Sequence, residues 1–172
     1  MDSETVAAAS RLESISRVIE KTLSYVTAFL LVAMSVTVFA NVMCRYFLDA
    51  SLAWYEEVSR FLLIWIVFLG AVIALIKGDH LGIDVLLSVM PTRVRRMIVI
   101  LTDILVLVTL AIMFQGAWVM ALDSLESGWV ASSVPIPYGW VYMVGPVSAA
   151  LMFLQTVIKI IGDIRTMKRV AP

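Results

Sequence analysis

Four long apolar segments set the hydrophobic pattern of this chain, and most charged residues lie outside them. The first, Thr22–Cys44, contains no charged residue, and the others lie at about 57–77, 97–122 and 138–161. A helix needs about 20 apolar residues to cross the hydrocarbon core of a bilayer. The pattern therefore predicts an all-α integral membrane protein, with residues 1–172 forming a single domain of four transmembrane helices.

Two shorter amphipathic segments accompany these spans. Residues 10–21 open with Ser10 and Glu13 in the arrangement of a capping box, and apolar residues then recur at helical spacing. Residues 79–90 are also rich in apolar side chains and end before Pro91, which disfavours helix in the preceding residue. Both segments are predicted to be interfacial helices on the membrane surface. For residues 10–21 the alternative is a plain extension of the first span into water.

The distribution of lysine and arginine predicts how the helices are oriented. Of the 13 basic residues, Arg45 and Arg60 belong to the first connection, the third connection has none, and the other 11 lie at the termini or in the second connection. Basic residues are retained on the cytoplasmic side of a membrane. Both termini are therefore predicted to be inside (N-in/C-in), which puts the connections near 45–56 and 123–137 on the outer side.

Composition narrows the classes of function. Hydrophobic residues make up 62% of the chain and the mean hydropathy is +0.98, whereas about half the residues of a soluble domain are apolar. The formal net charge is zero, so no overall positive field attracts nucleic acid. With His80 as the one histidine and Cys44 as the one cysteine, the ligands for metal-dependent hydrolysis or bis-histidine haem binding are missing. No catalytic activity and no cofactor are expected.

A polar cluster marks the first outer connection. Glu56 and Arg60 are four residues apart, so they can pair on one helix face, and Arg45 can reach Glu57 from the other end of the connection. Trp54 adds an amphipathic ring at the level of the headgroups. These residues are predicted to make structural or partner contacts, since charges at membrane depth require partners. A solvated ion-pair turn is the plainer alternative.

On the inner side, Asp103 is the one acidic residue well inside a span, since Glu57 stands at the first position of the second one. Such a group is a candidate for proton relay or cation binding. However, Arg95 or Arg96 on the same helix, or a donor on a neighbouring helix, could pair with it, and a structural pair is the favoured interpretation. His80 and Asp84 are further candidates for structural contacts on this side.

Other polar residues are expected to face lipid or a second helix. Arg93, Arg95 and Arg96 fall in the first turn of the third span, where cations oppose the helix dipole, so anionic lipid headgroups are their expected partners. Within the spans, Asn41 and Gln115 are expected to form hydrogen bonds between helices.

Prolines shape the last part of the chain. Residues 132–137 include two prolines, which favour an extended, turn-prone connection. Pro146 lies within the fourth span and removes one backbone hydrogen bond, so the helix is expected to kink there.

The order of several short motifs resembles one family of membrane proteins. Over about 42–153 the motifs and their spacing are similar to those of the small membrane subunit of tripartite ATP-independent periplasmic (TRAP) transporters. The motifs are Arg45-Tyr46, Trp54-x-Glu56-Glu57-x-x-Arg60, Phe68-Leu69-Gly70-Ala71, Gly78-Asp79-His80-Leu81-x-Ile83-Asp84, and Pro135-Ile136-Pro137 followed by Tyr142 and Pro146.

The resemblance implies a multi-pass scaffold subunit in a bacterial inner membrane. Its partners would be a large membrane subunit that carries the substrate and sodium sites, a periplasmic substrate-binding protein, and membrane lipids. The transporter would be sodium-driven and would import an organic acid, such as a C4-dicarboxylate or sialic acid. The small subunit would brace the large one rather than bind substrate.

Two other classes of function remain as alternatives. A self-sufficient, homo-oligomeric small transporter of the four-helix exporter type resembles this chain in helix number, but depends on a glutamate deep in its first helix. Thr22–Cys44 has no acidic residue. A membrane-anchor subunit of a redox complex would need two histidines on facing helices, and the chain has one.

Overall fold

The computed structural model describes residues 3–47, 53–77 and 92–170, and most of these residues are helical. Four segments are long and apolar enough to cross a membrane, namely Ser16–Phe47, Ala53–Lys77, Met97–Glu126 and Tyr138–Ile161. The predicted fold class, an all-α membrane protein with four spans, is therefore confirmed. The helices are α1 (Ser3–Phe47), α2 (Ala53–Lys77), α3 (Thr92–Glu126), α4 (Tyr138–Tyr142) and α5 (Val144–Val170).

The first helix is longer than the apolar pattern alone predicts. α1 extends for 45 residues without a break, so residues 10–21 are part of α1 and not a separate element. Their position relative to the lipid surface stays a prediction, as does the N-in/C-in orientation. The predicted surface helix at 79–90, which includes His80 and Asp84, lies outside the described residues.

The helices pack in a row rather than as a closed square bundle. α1 packs mainly on α2, α2 packs also on α5, and α5 packs on α3. Within its most apolar window, the first span is 0% buried, whereas the fourth is 44% buried. α5 is therefore the central helix of the described structure, and α1 lies at one edge.

Two apolar clusters hold this row together. With outer and inner naming the two sides as the sequence predicts them, the outer cluster contains Phe61, Ala131 and Val141, and the inner cluster contains Val72, Leu110 and Met152. In a bilayer such contacts stabilise through close packing, because lipid tails are as apolar as the side chains themselves. The two clusters connect α2 with the α3–α5 region at both levels of the membrane.

The fourth span is interrupted close to its start. Met143 separates α4 from α5, and its N–H donates to the carbonyl of Gly139 at 3.1 Å. Pro146 lies in the first turn of α5 and has no N–H to donate to the carbonyl of Tyr142. The interruption expected at Pro146 therefore falls one turn earlier, at Met143.

Candidate functional site

The outer side has a polar contact between α2 and the connection that follows α3. The Glu57 carboxylate accepts two backbone hydrogen bonds, from Ser132 N–H to Oε1 at 3.0 Å and from Ser133 N–H to Oε2 at 2.8 Å. Hydrogen bonds to an ionised group are shorter and stronger than neutral ones. One side chain thus fixes two neighbouring amides that belong to no regular element.

The backbone around Ser132 and Ser133 is folded so that these amides are available. Ala131 N–H donates to Ile136 at 3.1 Å, Tyr138 N–H donates to Trp129 at 3.0 Å, and Val130 pairs with Pro137 in an antiparallel bridge. The segment 129–138 is therefore a tight hairpin, which we call the outer hairpin. The amides of 132 and 133 lie at its tip, where the prolines predict an extended and turn-prone chain.

Aromatic and small residues at the ends of the neighbouring helices pack against the outer hairpin. The rings of Phe61 and Tyr138 meet edge to face, with 5.4 Å between their centroids. Gly139 follows directly, and a Cβ there would lie 2.6 Å from Leu125 Cδ2 and 3.0 Å from the backbone nitrogen of Leu125. Only glycine fits this approach of α4 to the end of α3.

The ion pairs expected in the first outer connection are not formed within the described part of the chain. Arg45, Glu56 and Arg60 are exposed there and have no ion-pair partner, while Glu57 binds the backbone amides. Trp54 is exposed and stacks on Tyr55, with 3.8 Å between the ring centroids. The role of these residues as partner contacts stays a prediction.

On the inner side, Asp103 is paired with a lysine from the neighbouring helix. Lys159 Nζ lies 3.0 Å from Asp103 Oδ1, and their side chains are 48% and 9% exposed, respectively. The lysine can extend its ammonium toward water while its stem lies along apolar surface. The sequence left open whether Asp103 pairs with Arg95 or Arg96 on its own helix or with a donor on a neighbouring helix. The observed partner, Lys159, is on the neighbouring helix. This contact connects α3 to α5.

Two further contacts involve α1 at the inner side. Ser16 Oγ donates to Gln155 Oε1 at 3.0 Å, which joins α1 to α5. Lys77 Nζ lies 3.9 Å from Glu20 Oε1, which joins α2 to α1. Together with the Asp103 pair, these contacts connect all four long helices. No sequence pattern distinguishes these four residues, because serine, glutamine and charged residues near helix ends are common on solvated faces.

Several predicted site residues lie where no contact can be described. Arg93, Arg95 and Arg96 are within the first turns of α3, and their contact with lipid headgroups stays a prediction. His80 and Asp84 lie outside the described residues. Among the residues that were described, no group of three or more histidine, cysteine, aspartate or glutamate side chains could hold a metal ion.

These observations define a class: a small multi-pass membrane protein whose helices are joined by polar contacts at both membrane surfaces. Residues 34–166 match the model of the family described as tripartite ATP-independent periplasmic transporters, DctQ component. The chain belongs to this family, as its motifs predict. A permease subunit of this kind is a multi-pass protein of the inner membrane and falls in no class of enzyme.

Three relatives show how far the similarity extends. The chain is 28% identical to a putative TRAP transporter small permease protein of Haemophilus influenzae, over 89% of this chain and 94% of the relative. It is 30% identical to the C4-dicarboxylate TRAP transporter small permease protein DctQ of Vibrio cholerae, over 55% and 40%. It is 26% identical to the isethionate TRAP transporter permease protein DctMQ of Oleidesulfovibrio alaskensis, over 67% and 18%.

Proposed function

We propose that this chain is a scaffold subunit that braces the large membrane subunit of a sodium-driven TRAP transporter. The large subunit binds the substrate and sodium, and a periplasmic protein delivers the substrate. The imported compound is an organic acid, such as a C4-dicarboxylate, sialic acid or a similar carboxylate. This chain fixes the position of the large subunit in the membrane and does not itself bind the substrate.

The observation that favours a large partner comes from the permease relative DctMQ. Two thirds of this chain, 67%, aligns with only 18% of that relative, so the matched segment there is a small part of a much longer permease chain. We infer that a permease portion of this kind is the partner of this chain. Its helices would cover part of the apolar surface that the row of helices leaves exposed.

The substrates named for the relatives support a bracing role. Similar identities, 30% and 26%, link this chain to a C4-dicarboxylate permease and to an isethionate permease. A dicarboxylate and a sulfonate require different binding groups, yet the small permease segment is matched in both. This is expected if the groups that select the substrate lie on other parts of the transporter.

The contacts within this chain are consistent with such a role. The Glu57 carboxylate fixes the outer hairpin, and Asp103 with Lys159 joins two helices at the inner side. In the first contact a charged side chain holds a connection in place, and in the second a charged pair holds two helices together. A rigid membrane element of this kind is what a moving transport subunit needs as its fixed support.

Purification of the tagged chain from its native membrane in mild detergent tests the proposal. A stoichiometric large permease is expected to co-purify, and the pair should take up a carboxylate into liposomes when a sodium gradient and the binding protein are supplied. Omission of this chain should reduce that uptake. A homo-oligomer of this chain that transports a solute alone would overturn the proposal.

A further inference from the structure

Gln115 places an uncharged amide on the exposed surface of α3, within the membrane. It lies 12 residues from Asp103 and 8 residues from Asp123, which at 1.5 Å per residue corresponds to about 18 Å and about 12 Å along the helix. The third span extends beyond both aspartates, from Met97 to Glu126, so Gln115 lies about 27 Å and about 17 Å along the helix from its two ends. The amide is therefore well inside the apolar layer.

The Gln115 amide differs from other exposed polar side chains in the middle of the spans. Ser35 donates its hydroxyl to the carbonyl of Leu31 at 2.9 Å, and Thr109 donates to the carbonyl of Leu105 at 2.9 Å. These hydroxyls are satisfied by their own helix and can face lipid. The amide of Gln115 makes no hydrogen bond within residues 3–47, 53–77 and 92–170.

An unpaired amide is costly in hydrocarbon, because lipid tails offer neither donors nor acceptors. Glutamine offers one acceptor and two donor hydrogens, so a second helix with a polar side chain would satisfy it. We propose that the surface of α3 around Gln115 is where a membrane helix of the large permease subunit packs, with the amide hydrogen-bonded to a polar group of that helix. The inference rests on the proposed function.

The surroundings of Gln115 suit a helix as the occupant. Ile112 and Val119, one turn to either side, are 67% and 59% exposed and form an apolar surface. Gly116 is exposed, and a Cβ placed there would meet no atom within 4 Å. Small residues let two membrane helices approach closely, and a polar residue beside them adds a hydrogen bond between the helices.

The exposed surface of α1 is the main competitor for this role. Val32 and Val36 are each 62% exposed, but the exposed hydroxyl of Ser35 between them is satisfied by its own helix. Asn41 and Thr27, also on α1, each have a side-chain oxygen without a hydrogen-bond partner among the described residues, so the bond between helices expected for Asn41 is not formed there. Both oxygens are buried against the protein, so the exposed surface around Val32 and Val36 needs no protein partner to satisfy a polar group. We therefore assign the surface of α3 to the large subunit and the surface of α1 to lipid.

Photo-cross-linking in the assembled transporter tests the assignment. Benzoylphenylalanine is introduced at Ile112, and at Val32 as the matched control on α1, in cells that express all subunits. Irradiation should join the Ile112 variant, and not the Val32 variant, to the large permease subunit. Cross-linking from Val32 alone, or an adduct between two copies of this chain through Ile112, would overturn the assignment.

A second measurement tests the hydrogen bond itself. Gln115→Leu should weaken the association of the purified subunits by about 3- to 30-fold, whereas Thr109→Val should leave it unchanged, since that hydroxyl donates to its own helix. Equal affinity of Gln115→Leu and the wild type would refute the proposed contact while the complex itself persists. If the wild-type chain retains no large subunit at all, the proposed function fails as well.

Discussion

Glu57 and Ser133 lie 76 positions apart, yet a Glu57 carboxylate oxygen accepts the backbone N–H of Ser133 at 2.8 Å. The other oxygen accepts the N–H of Ser132 at 3.0 Å. A carboxylate suits this position because its two oxygens can accept two donors at once. The contact fixes the outer hairpin to the start of α2, so the outer surface near these residues has a defined shape.

Replacing Glu57 should loosen the outer hairpin. In Glu57→Gln one acceptor is replaced by an NH₂ group that faces a backbone N–H, and because both amides are exposed to water, we expect a loss of about 0.5–1.5 kcal/mol in stability. In a Cys44→Ala background, a cysteine at Ser133 should then react faster with an impermeant thiol reagent added from outside. Glu56→Gln is the matched control, because Glu56 is exposed. Equal labelling rates in the two variants would mean that the carboxylate does not hold the hairpin.

The predicted orientation can be tested with single cysteines. Cysteine at Ser51 or Ser133 should be labelled by an impermeant reagent in intact cells, because both belong to connections predicted to be outside. Cysteine at Ser88 should be labelled only after the membrane is opened, since 11 of the 13 basic residues are assigned to that side. The reverse accessibility would show that the orientation is wrong.

The bilayer explains why the four spans could be predicted and several contacts could not. A hydrocarbon core of fixed thickness demands long apolar segments, and these are visible in the sequence. Asp103 was identifiable because an acid within a span is rare, but Lys159, 56 positions away, becomes its partner only through helix packing. The partners of Glu57 are backbone amides, which every residue except proline has, so no sequence pattern distinguishes Ser132 and Ser133.

The start of the first helix could not be predicted from its capping pattern. Ser10 and Glu13 fit a capping box, yet α1 begins at Ser3 and continues through both. A serine within a helix is only mildly unfavourable. A capping pattern alone therefore does not prevent the helix from beginning further upstream. The residues after Ser10 therefore continue one long helix and do not begin a new one.

The pair formed by Asp103 and Lys159 should show strong coupling between its two members. Lys159→Met leaves the largely buried Asp103 carboxylate without its partner, and because Lys159 itself is about half exposed, this should cost about 1–3 kcal/mol in stability. Adding Asp103→Leu should recover most of this loss, because two apolar side chains can replace a buried ion pair. Thermal unfolding in detergent of the two single variants and the double variant measures the coupling.

Transport assays separate this structural role from a role in sodium coupling. With the large subunit and the binding protein present, Asp103→Asn should leave the sodium dependence of uptake unchanged. A shifted sodium dependence would assign Asp103 to the coupling mechanism. In the unfolding experiment described above for the ion pair, a double variant with the same low stability as the Lys159→Met variant would show that Asp103 and Lys159 do not stabilise each other.

Gly139 should tolerate no side chain, because α4 lies against the end of α3 at this point. In Gly139→Ala the added Cβ would lie 2.6 Å from Leu125 Cδ2 and 3.0 Å from the Leu125 backbone nitrogen, so backbone or side chain must shift. Overpacking of this kind costs about 1–3 kcal/mol, and the loss should appear as a lower unfolding temperature in detergent. Gly70→Ala is the matched control, since a Cβ there meets no atom within 4 Å. If both variants unfold at the wild-type temperature, the close approach of α4 to α3 does not limit stability.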